Sequence, residues 1–246
     1  MLLSHHRSHT EYALNNIEID PEKKKEIIKG AFANDLCEFT NEGEIFIPSK
    51  DVIHSLFESK PKVFGSIAIY QSHFGNLASM HAMAKANNES PGNTRGEITA
   101  WFDFLNNLTL GIISIDPDAM IGEDNTAISG MFSDHSIEYD QIFDSENLAQ
   151  IRSRSIGMMC HLIQDLFTQS HCGRNSHNEI VMFYCYQAQN KQKHKEGDHA
   201  IIGLEQELTN QCRKCVESIM NNHAYDYSQV MVLSNSVQNS GGGAFS

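Results

Sequence analysis

The sequence predicts an all-α protein, folded as a single compact multi-helix domain over residues 1–234. Three observations support this prediction: the length of 246 residues suits one domain, the composition is that of a globular protein, and several segments carry apolar residues at helical spacing. Residues 235–246 contain three consecutive glycines and are expected to form a flexible tail.

The expected helices follow one another along most of the chain. Residues 8–11 are expected to cap the first helix, and Pro21 is expected in the first turn of the second. Pro91-Gly92 is expected to break the chain. Further helices, the first of them largely buried, are expected over residues 64–86, 97–112, 145–167 and 198–221.

Residues 113–145 are acidic and rich in Asp, Gly and Ser, which predicts an acidic insertion in the helical domain. Four carboxylates raise the alternative of a calcium loop: Asp116, Asp118, Glu123 and Asp124. Their spacing does not match an EF-hand loop, and this favours a solvated insertion.

The net charge is −13, which argues against broad electrostatic binding to nucleic acid or to an anionic membrane surface. No run approaches the ~20 apolar residues that a transmembrane helix needs. The N-terminus lacks the apolar core of a signal peptide. Two expectations stay open: a cytoplasmic protein if the N-terminus is complete, or a protein delivered outside the producing cell by another route.

The chain carries 13 histidines, which favours a metal site. The central pattern is His161-x3-Asp165-x5-His171. Residues four apart share one face of a helix, so His161 and Asp165 can reach the same ion. His171 would reach a neighbouring ion, and an Asp bridging two metals suits phosphodiester chemistry. The alternative is that both histidines are incidental polar residues.

A second pattern places His194 four residues before Asp198. With His171, this pair would supply three protein ligands, the number that a catalytic zinc site combines with a water. On its own, the pair is better explained by a solvated charged turn.

Three residues earlier in the chain are also candidates. Asp35 follows a helix end rich in small residues, where it could bind metal and act as a general base, or serve only a structural role. His73 and His81 lie in an apolar stretch, in which buried histidines need partners. Each is either a metal ligand or a satisfied core residue.

In their order along the chain, these residues resemble the zinc-dependent phospholipase C and single-strand-specific nuclease superfamily, nearer its bacterial phospholipase C branch. The likeness rests on an N-terminal His, Gly-x-x-Ala-x-Asp, Ser-His-Phe, His-x3-Asp-x5-His and His-x3-Asp, and it spans roughly residues 5–199. It implies an α-helical enzyme with a zinc cleft between its helices.

The resemblance also implies roles for single residues. Asp35 would be the catalytic base that activates water against phosphorus. The chain would bind two to three zinc ions. The implied ligands are Asp35, His73, His161 and Asp165 for one ion, Asp165 and His9 with the N-terminal residue for a second, and His171, His194 and Asp198 for a third.

The chain departs from the family at two ligand positions. The family begins with a Trp that binds zinc through its amino group and carbonyl, whereas this chain begins with Met1. That ligand is therefore lost, or His5 or His6 replaces it. The long intervals on both sides of His73 leave His81 as its rival.

The resemblance implies a phospholipase C that cleaves phosphatidylcholine-type lipids at a membrane surface into diacylglycerol and phosphocholine, outside the producing cell. Phe32, Trp101 and Tyr184 are among the aromatic residues available to contact choline. A single-strand-specific nuclease is the first alternative, although no stable nucleic-acid binding is expected at this net charge. A helical interaction protein with a degraded metal site is the second.

Overall fold

The computed structural model describes residues 3–32, 35, 72, 75–122, 125–132, 137–189, 194 and 196–238. Within these ranges the protein is mostly helical, as the sequence predicts, with one two-stranded sheet. The described helices and strands are α1 (Leu3–Ala13), α2 (Pro21–Gly30), α3 (Pro91–Thr109), α4 (Thr126–Phe132), α5 (Tyr139–Phe143), α6 (Leu148–Leu166), β1 (Cys172–Arg174), β2 (Ile180–Phe183) and α7 (Glu205–Met220).

Two helices begin at a proline that follows a capping side chain. Asp20 Oδ1 accepts hydrogen bonds from the first backbone N–H groups of α2, and Pro21 lies in the first turn as predicted. Ser90 caps α3 in the same way. Pro91 therefore starts this helix instead of breaking the chain, because proline fits the first helical turn.

The prediction of a buried helix over residues 64–86 is wrong for residues 75–86. Residues 75–86 form turns and one short 3-10 helix, Ala78–His81, which ends at Ala82 with a left-handed φ of 54°. Most apolar side chains here are nevertheless buried. The apolar content reflects burial, which periodicity cannot separate from helix in a short run. The rest of the predicted helix, except Ser72, lies outside the described residues.

The acidic segment is partly built into the core. Ile128, Met131 and Phe132 of α4 are buried, so a solvated insertion is the wrong description of this helix. Because they are three and four residues apart, they form one apolar face of the helix. The overall composition of the segment does not reveal this face, since Asp, Gly and Ser are frequent around it. Among the candidate calcium ligands, Asp116 and Asp118 are exposed, and Glu123 and Asp124 lie outside the described residues.

Helix α6 is buried along most of its length and packs against α1, α2, α3 and α7. Gly30 of α2 and Gly157 of α6 lie at the closest crossing. A β-carbon on Gly30 would lie 2.0 Å from Arg154 O, and one on Gly157 would lie 2.0 Å from Ile27 O. Only glycine allows the two backbones to approach this closely.

A buried ion pair joins the same two helices. Arg154 Nε donates to Glu26 Oε2 at 2.6 Å. Its Nη1 donates to Phe143 O at 2.7 Å and to Asp144 Oδ2 at 3.1 Å. Because a buried guanidinium needs partners for its N–H groups, this network fixes α2, α6 and the turn after α5 together.

Strands β1 and β2 pair antiparallel, with Cys172 opposite Phe183. Arg174 ties this hairpin to the end of α6, since its Nε donates to Leu166 O at 2.9 Å. The hairpin thereby fixes His171, which directly precedes β1, near the last turn of α6.

None of the described helices is both long and apolar enough to cross a bilayer. Residues 239–246 of the predicted tail lie outside the described part of the chain.

Candidate metal centre

Side chains that could hold metal ions converge at the C-terminal half of α6. Within each group, one candidate donor atom per residue lies within 4.8 Å of the others. Asp35 and Asp198 keep 14% of their side-chain surface exposed, and the others are buried. The three groups are His6, Asp35 and His161 (the first group), His81, His161 and Asp165 (the second group), and His171, His194 and Asp198 (the third group).

Asp165 lies between these groups and is fully buried. Its Oδ2 is 3.0 Å from His81 Nδ1 and 3.0 Å from His161 Nε2. Its Oδ1 is 3.5 Å from His6 Nε2 and 3.4 Å from His171 Nδ1. Oδ2 therefore belongs to the second group, and Oδ1 faces His6 of the first group, as in a carboxylate that bridges two metal positions. His171 instead turns toward Oδ1 the nitrogen that also meets His81 O.

The α2–α6 crossing positions Asp35. The chain turns after α2, where Asp35 N–H donates to Phe32 O at 2.8 Å. The Asp35 carboxylate then lies 3.6 Å from His6 Nε2, 3.8 Å from His81 Nδ1 and 4.0 Å from His161 Nδ1. It is the partly exposed member of the first group, so solvent reaches the centre beside it.

Main-chain carbonyls orient two of the histidines. His161 Nδ1 donates to Ala31 O at 2.8 Å, and His171 Nδ1 donates to His81 O at 2.7 Å. With Nδ1–H used in this way, Nε2 is the nitrogen that offers a lone pair when the imidazole is neutral. A histidine that binds metal is characteristically held through its other nitrogen by such a partner.

Glutamines orient two more histidines. His6 Nδ1 donates to Gln164 Oε1 at 2.5 Å, and the Gln164 amide donates to Thr10 Oγ1 at 2.9 Å. His194 Nδ1 donates to Gln189 Oε1 at 2.8 Å, and the Gln189 amide donates to a carbonyl at 2.6 Å. Because each amide N–H₂ already donates elsewhere, the amide oxygen is the group that meets the imidazole.

These orientations leave acceptors facing one another. The lone pair on His6 Nε2 faces carboxylate oxygens of Asp35 and Asp165, and this nitrogen is buried without a hydrogen-bond partner among the described residues. His161 Nε2 likewise faces Asp165 Oδ2. Facing acceptors repel unless a proton or a cation lies between them, so the arrangement fits a bound metal.

The charges within the centre shift the pKa values of its members. Burial lowers the pKa of His81 to about 4 despite Asp165 beside it, so its imidazole is neutral at pH 7. Burial also lowers the pKa of His171, but Asp165 and Asp198 outweigh it and raise this pKa to about 9. His171 and His161 hold the pKa of Asp165 well below its usual range, although burial opposes this.

The third group lies beyond the end of α6. His171 Nε2 is 3.5 Å from Asp198 Oδ1, and Ser170 Oγ donates to the same oxygen at 3.2 Å. The ring of His194 stacks on His171 with centroids 5.4 Å apart, and the ring of Tyr186 meets His194 edge-on at 4.6 Å. His171, His194 and Asp198, the three residues predicted to share one ion, thus lie close together.

Most of the residues predicted from sequence meet in this centre: Asp35, His161, Asp165, His171, His194 and Asp198. His9 does not meet them, because its Nδ1 lies 3.2 Å from Thr209 Oγ1 of α7. His73 lies outside the described residues, and its rival His81 is in the second group.

His6 was predicted from sequence only as a possible replacement for the N-terminal ligand. A signal for it was available in α1. His6, Thr10, Ala13 and Leu14 recur at helical spacing and form the buried stripe of this helix. His5, the other replacement considered, belongs to none of the three groups.

Comparisons with protein-family models, with curated proteins and with solved structures found no match to this chain.

Proposed function

We propose that this protein is a zinc-dependent phosphodiester hydrolase that acts as a phospholipase C on phosphatidylcholine-type lipids. The observation that carries the proposal is the position of Asp165, whose two oxygens face separate pairs of histidines at 3.0–3.5 Å. A carboxylate shared by adjacent metal positions suits the displacement of an oxygen at phosphorus, because both the attacking and the leaving oxygen need stabilisation.

Zinc is the metal that the donor atoms favour. Imidazole nitrogens and carboxylate oxygens are common zinc ligands, and hard cations such as magnesium prefer oxygen alone. Cys172 adjoins His171 but is no thiolate ligand, since burial raises its pKa to about 12 and its Sγ donates to Ala82 O at 3.4 Å.

Zinc bound here would lower the pKa of a coordinated water and bind phosphate oxygens. The residues of the chain then have distinct tasks. Asp165 and the histidines would hold the ions. Asp35, partly exposed and within 4 Å of three imidazoles, is positioned to orient the attacking water and accept its proton.

The proposed substrate carries a phosphocholine headgroup, whose cation would need an aromatic or acidic surface. Trp101 and Phe32, considered for this role on sequence, are buried in the core and cannot reach a ligand. Tyr186 is better placed, since it is half-buried and its ring lies 4.6 Å from that of His194.

Single-stranded nucleic acid is the second candidate substrate, because the same centre would serve any phosphodiester. The net charge of −13 disfavours it, as polyanion binding usually needs a cationic surface.

Metal analysis combined with a paired substrate assay tests the proposal. Ligand counting predicts about two to three zinc ions per chain. The zinc-loaded protein should release phosphocholine from phosphatidylcholine vesicles and leave single-stranded DNA intact. Cleavage of DNA alone would select the nuclease. Fewer than two ions with neither activity would overturn the enzyme assignment in favour of an interaction protein.

A further inference from the structure

A second polar site lies away from the histidines, at the turn between α5 and α6. A cavity of about 380 Å³ opens there, and each lining side chain offers an oxygen atom: Asp140, Asp144, Ser145, Glu146, Asn147 and Gln150. Among these lining residues none is a lysine, an arginine or a histidine. This lining of carboxylate, hydroxyl and amide groups differs in chemistry from the imidazole-rich centre beside the other end of α6.

Asp140 is the one deeply buried carboxylate of this cavity, with 6% of its surface exposed. Its backbone is held on both sides, since its N–H donates to Pro117 O at 3.0 Å and its carbonyl accepts from Ser145 N–H at 3.2 Å. Yet its side-chain Oδ1 has no hydrogen-bond partner among the described residues. A buried acceptor left in this way is costly unless a ligand satisfies it.

Three carboxylates of the cavity are close in the chain: Asp140, Asp144 and Glu146. Arg154 pairs with Asp144 and also with Glu26, so its single charge offsets only part of the negative charge of these carboxylates. Burial raises the pKa of Asp140, and the charges of Glu138, Asp118 and Glu146 add to this. The negative charge concentrated here favours a bound cation.

We propose that this cavity binds a calcium ion, with Asp140 as its central ligand and Glu146 and Asp144 Oδ1 beside it. Calcium takes six to eight oxygen ligands in flexible geometry and tolerates several waters in an open site. Asn147 contributes less, because its Oδ1 already caps α6 by accepting from Ala149 and Gln150 N–H. With few charged ligands, a dissociation constant of about 10⁻⁴ M is expected.

The site is distinct from the calcium loop considered in the sequence analysis. That loop would have used Asp116 and Asp118, which are exposed and lie before α4. The cavity instead uses the residues around Asp144, whose left-handed φ of 49° turns the chain between α5 and α6. This turn brings Asp140 and Glu146 to the same cavity, although they are separated by the end of a helix.

Calorimetric titration of the zinc-loaded full chain with calcium chloride tests the proposal. Asp140→Asn, which keeps the shape of the side chain, should weaken calcium binding by about tenfold or more, and Glu146→Gln by about threefold to tenfold. Zinc content should stay unchanged in both variants. Asp103→Asn is the matched control, because Asp103 is an exposed carboxylate bonded to Tyr227 and should leave calcium affinity intact.

A second readout uses terbium, which replaces calcium and emits when excited through a nearby tyrosine. Tyr139 directly precedes Asp140, so sensitised emission that calcium displaces is expected. No calcium binding at about 10 mM, or the same affinity in Asp140→Asn as in the unchanged chain, would overturn the proposal. If Asp140→Asn lowers the melting temperature too far for titration, the exposed Glu146→Gln variant decides in the same way.

Discussion

Gly30 and Gly157 lie face to face where α2 crosses α6, with no room for a methyl group on either residue. The crossing sets the distance between Asp35, which follows α2, and the histidine and aspartate that α6 presents. The geometry of the candidate centre therefore depends on two residues that carry no side chain, and this dependence can be measured.

Gly157→Ala should destabilise the protein by about 2–3 kcal/mol, because its β-carbon would lie 2.0 Å from Ile27 O and the helices must separate. Urea unfolding gives the free energy. Gly96→Ala is the control, since a β-carbon there meets nothing within 4 Å and alanine favours the helix by up to about 1 kcal/mol. Equal effects of the two substitutions would contradict the close crossing.

Asp165→Ala should abolish activity and release more than one metal ion per chain, because one oxygen of this carboxylate faces His81 and His161 and the other faces His6 of the first group. Metal content after dialysis measures the loss. Asp103→Ala, at an exposed carboxylate that belongs to none of the three groups, should retain all of its metal. Activity in the Asp165 variant, or loss of a single ion, would argue against a bridging carboxylate.

His6→Ala should reduce metal content, and His9→Ala should not. His6 Nε2 faces two carboxylates within 3.6 Å, whereas His9 contacts Thr209. Because both histidines lie on α1, the two variants lose the same side chain from the same helix and differ only in the position of the loss. Metal binding that depends on His9 instead would show that α1 is rotated relative to the arrangement described above.

Asp35→Asn should lower kcat by about 10²-fold or more and cost less metal than Asp165→Ala. The amide keeps an oxygen for coordination but cannot accept a proton. Initial rates at saturating substrate, with metal content measured on the same samples, separate the two effects. A rate that falls only in proportion to the lost metal would leave Asp35 as a ligand without a role as base.

Glu26→Gln should destabilise the protein at pH 7 by about 1–3 kcal/mol, through loss of a charged partner for Arg154. Burial raises the pKa of Glu26, but Lys29 and Arg154 outweigh this effect and lower the pKa below the usual 4.5. The carboxylate therefore stabilises the fold above about pH 4.5, and this contribution is lost as the pH falls through the lowered pKa. Unfolding free energies of the two proteins should converge at acidic pH. Glu22→Gln, at an exposed position, should change stability little.

Much of the centre could be predicted because its residues obey helical spacing. His161 and Asp165 are one turn apart, and that relation holds in any α-helix of this sequence. The start of α2 could also be predicted from local sequence, since an Asp directly before a proline favours the start of a helix.

The remaining choices depend on tertiary packing, which spacing does not encode. His6 and His9 are both compatible with an amphipathic α1, and only its packing against α6 and α7 decides which imidazole faces Asp165. The 3-10 helix that carries His81 could not be predicted from sequence either, because a buried irregular segment and a buried α-helix have the same apolar composition. Asp140 could not be singled out either, because no local pattern in the sequence marks it as a buried carboxylate.

His81 serves the centre twice, through its imidazole in the second group and through its carbonyl, which holds His171 in the third group. Substitution removes the first contribution and leaves the second, since every amino acid has a carbonyl. A lineage that lost this histidine would therefore keep the orientation of the third group while the second failed. If the groups hold metal ions, the loss of the second group need not remove the third.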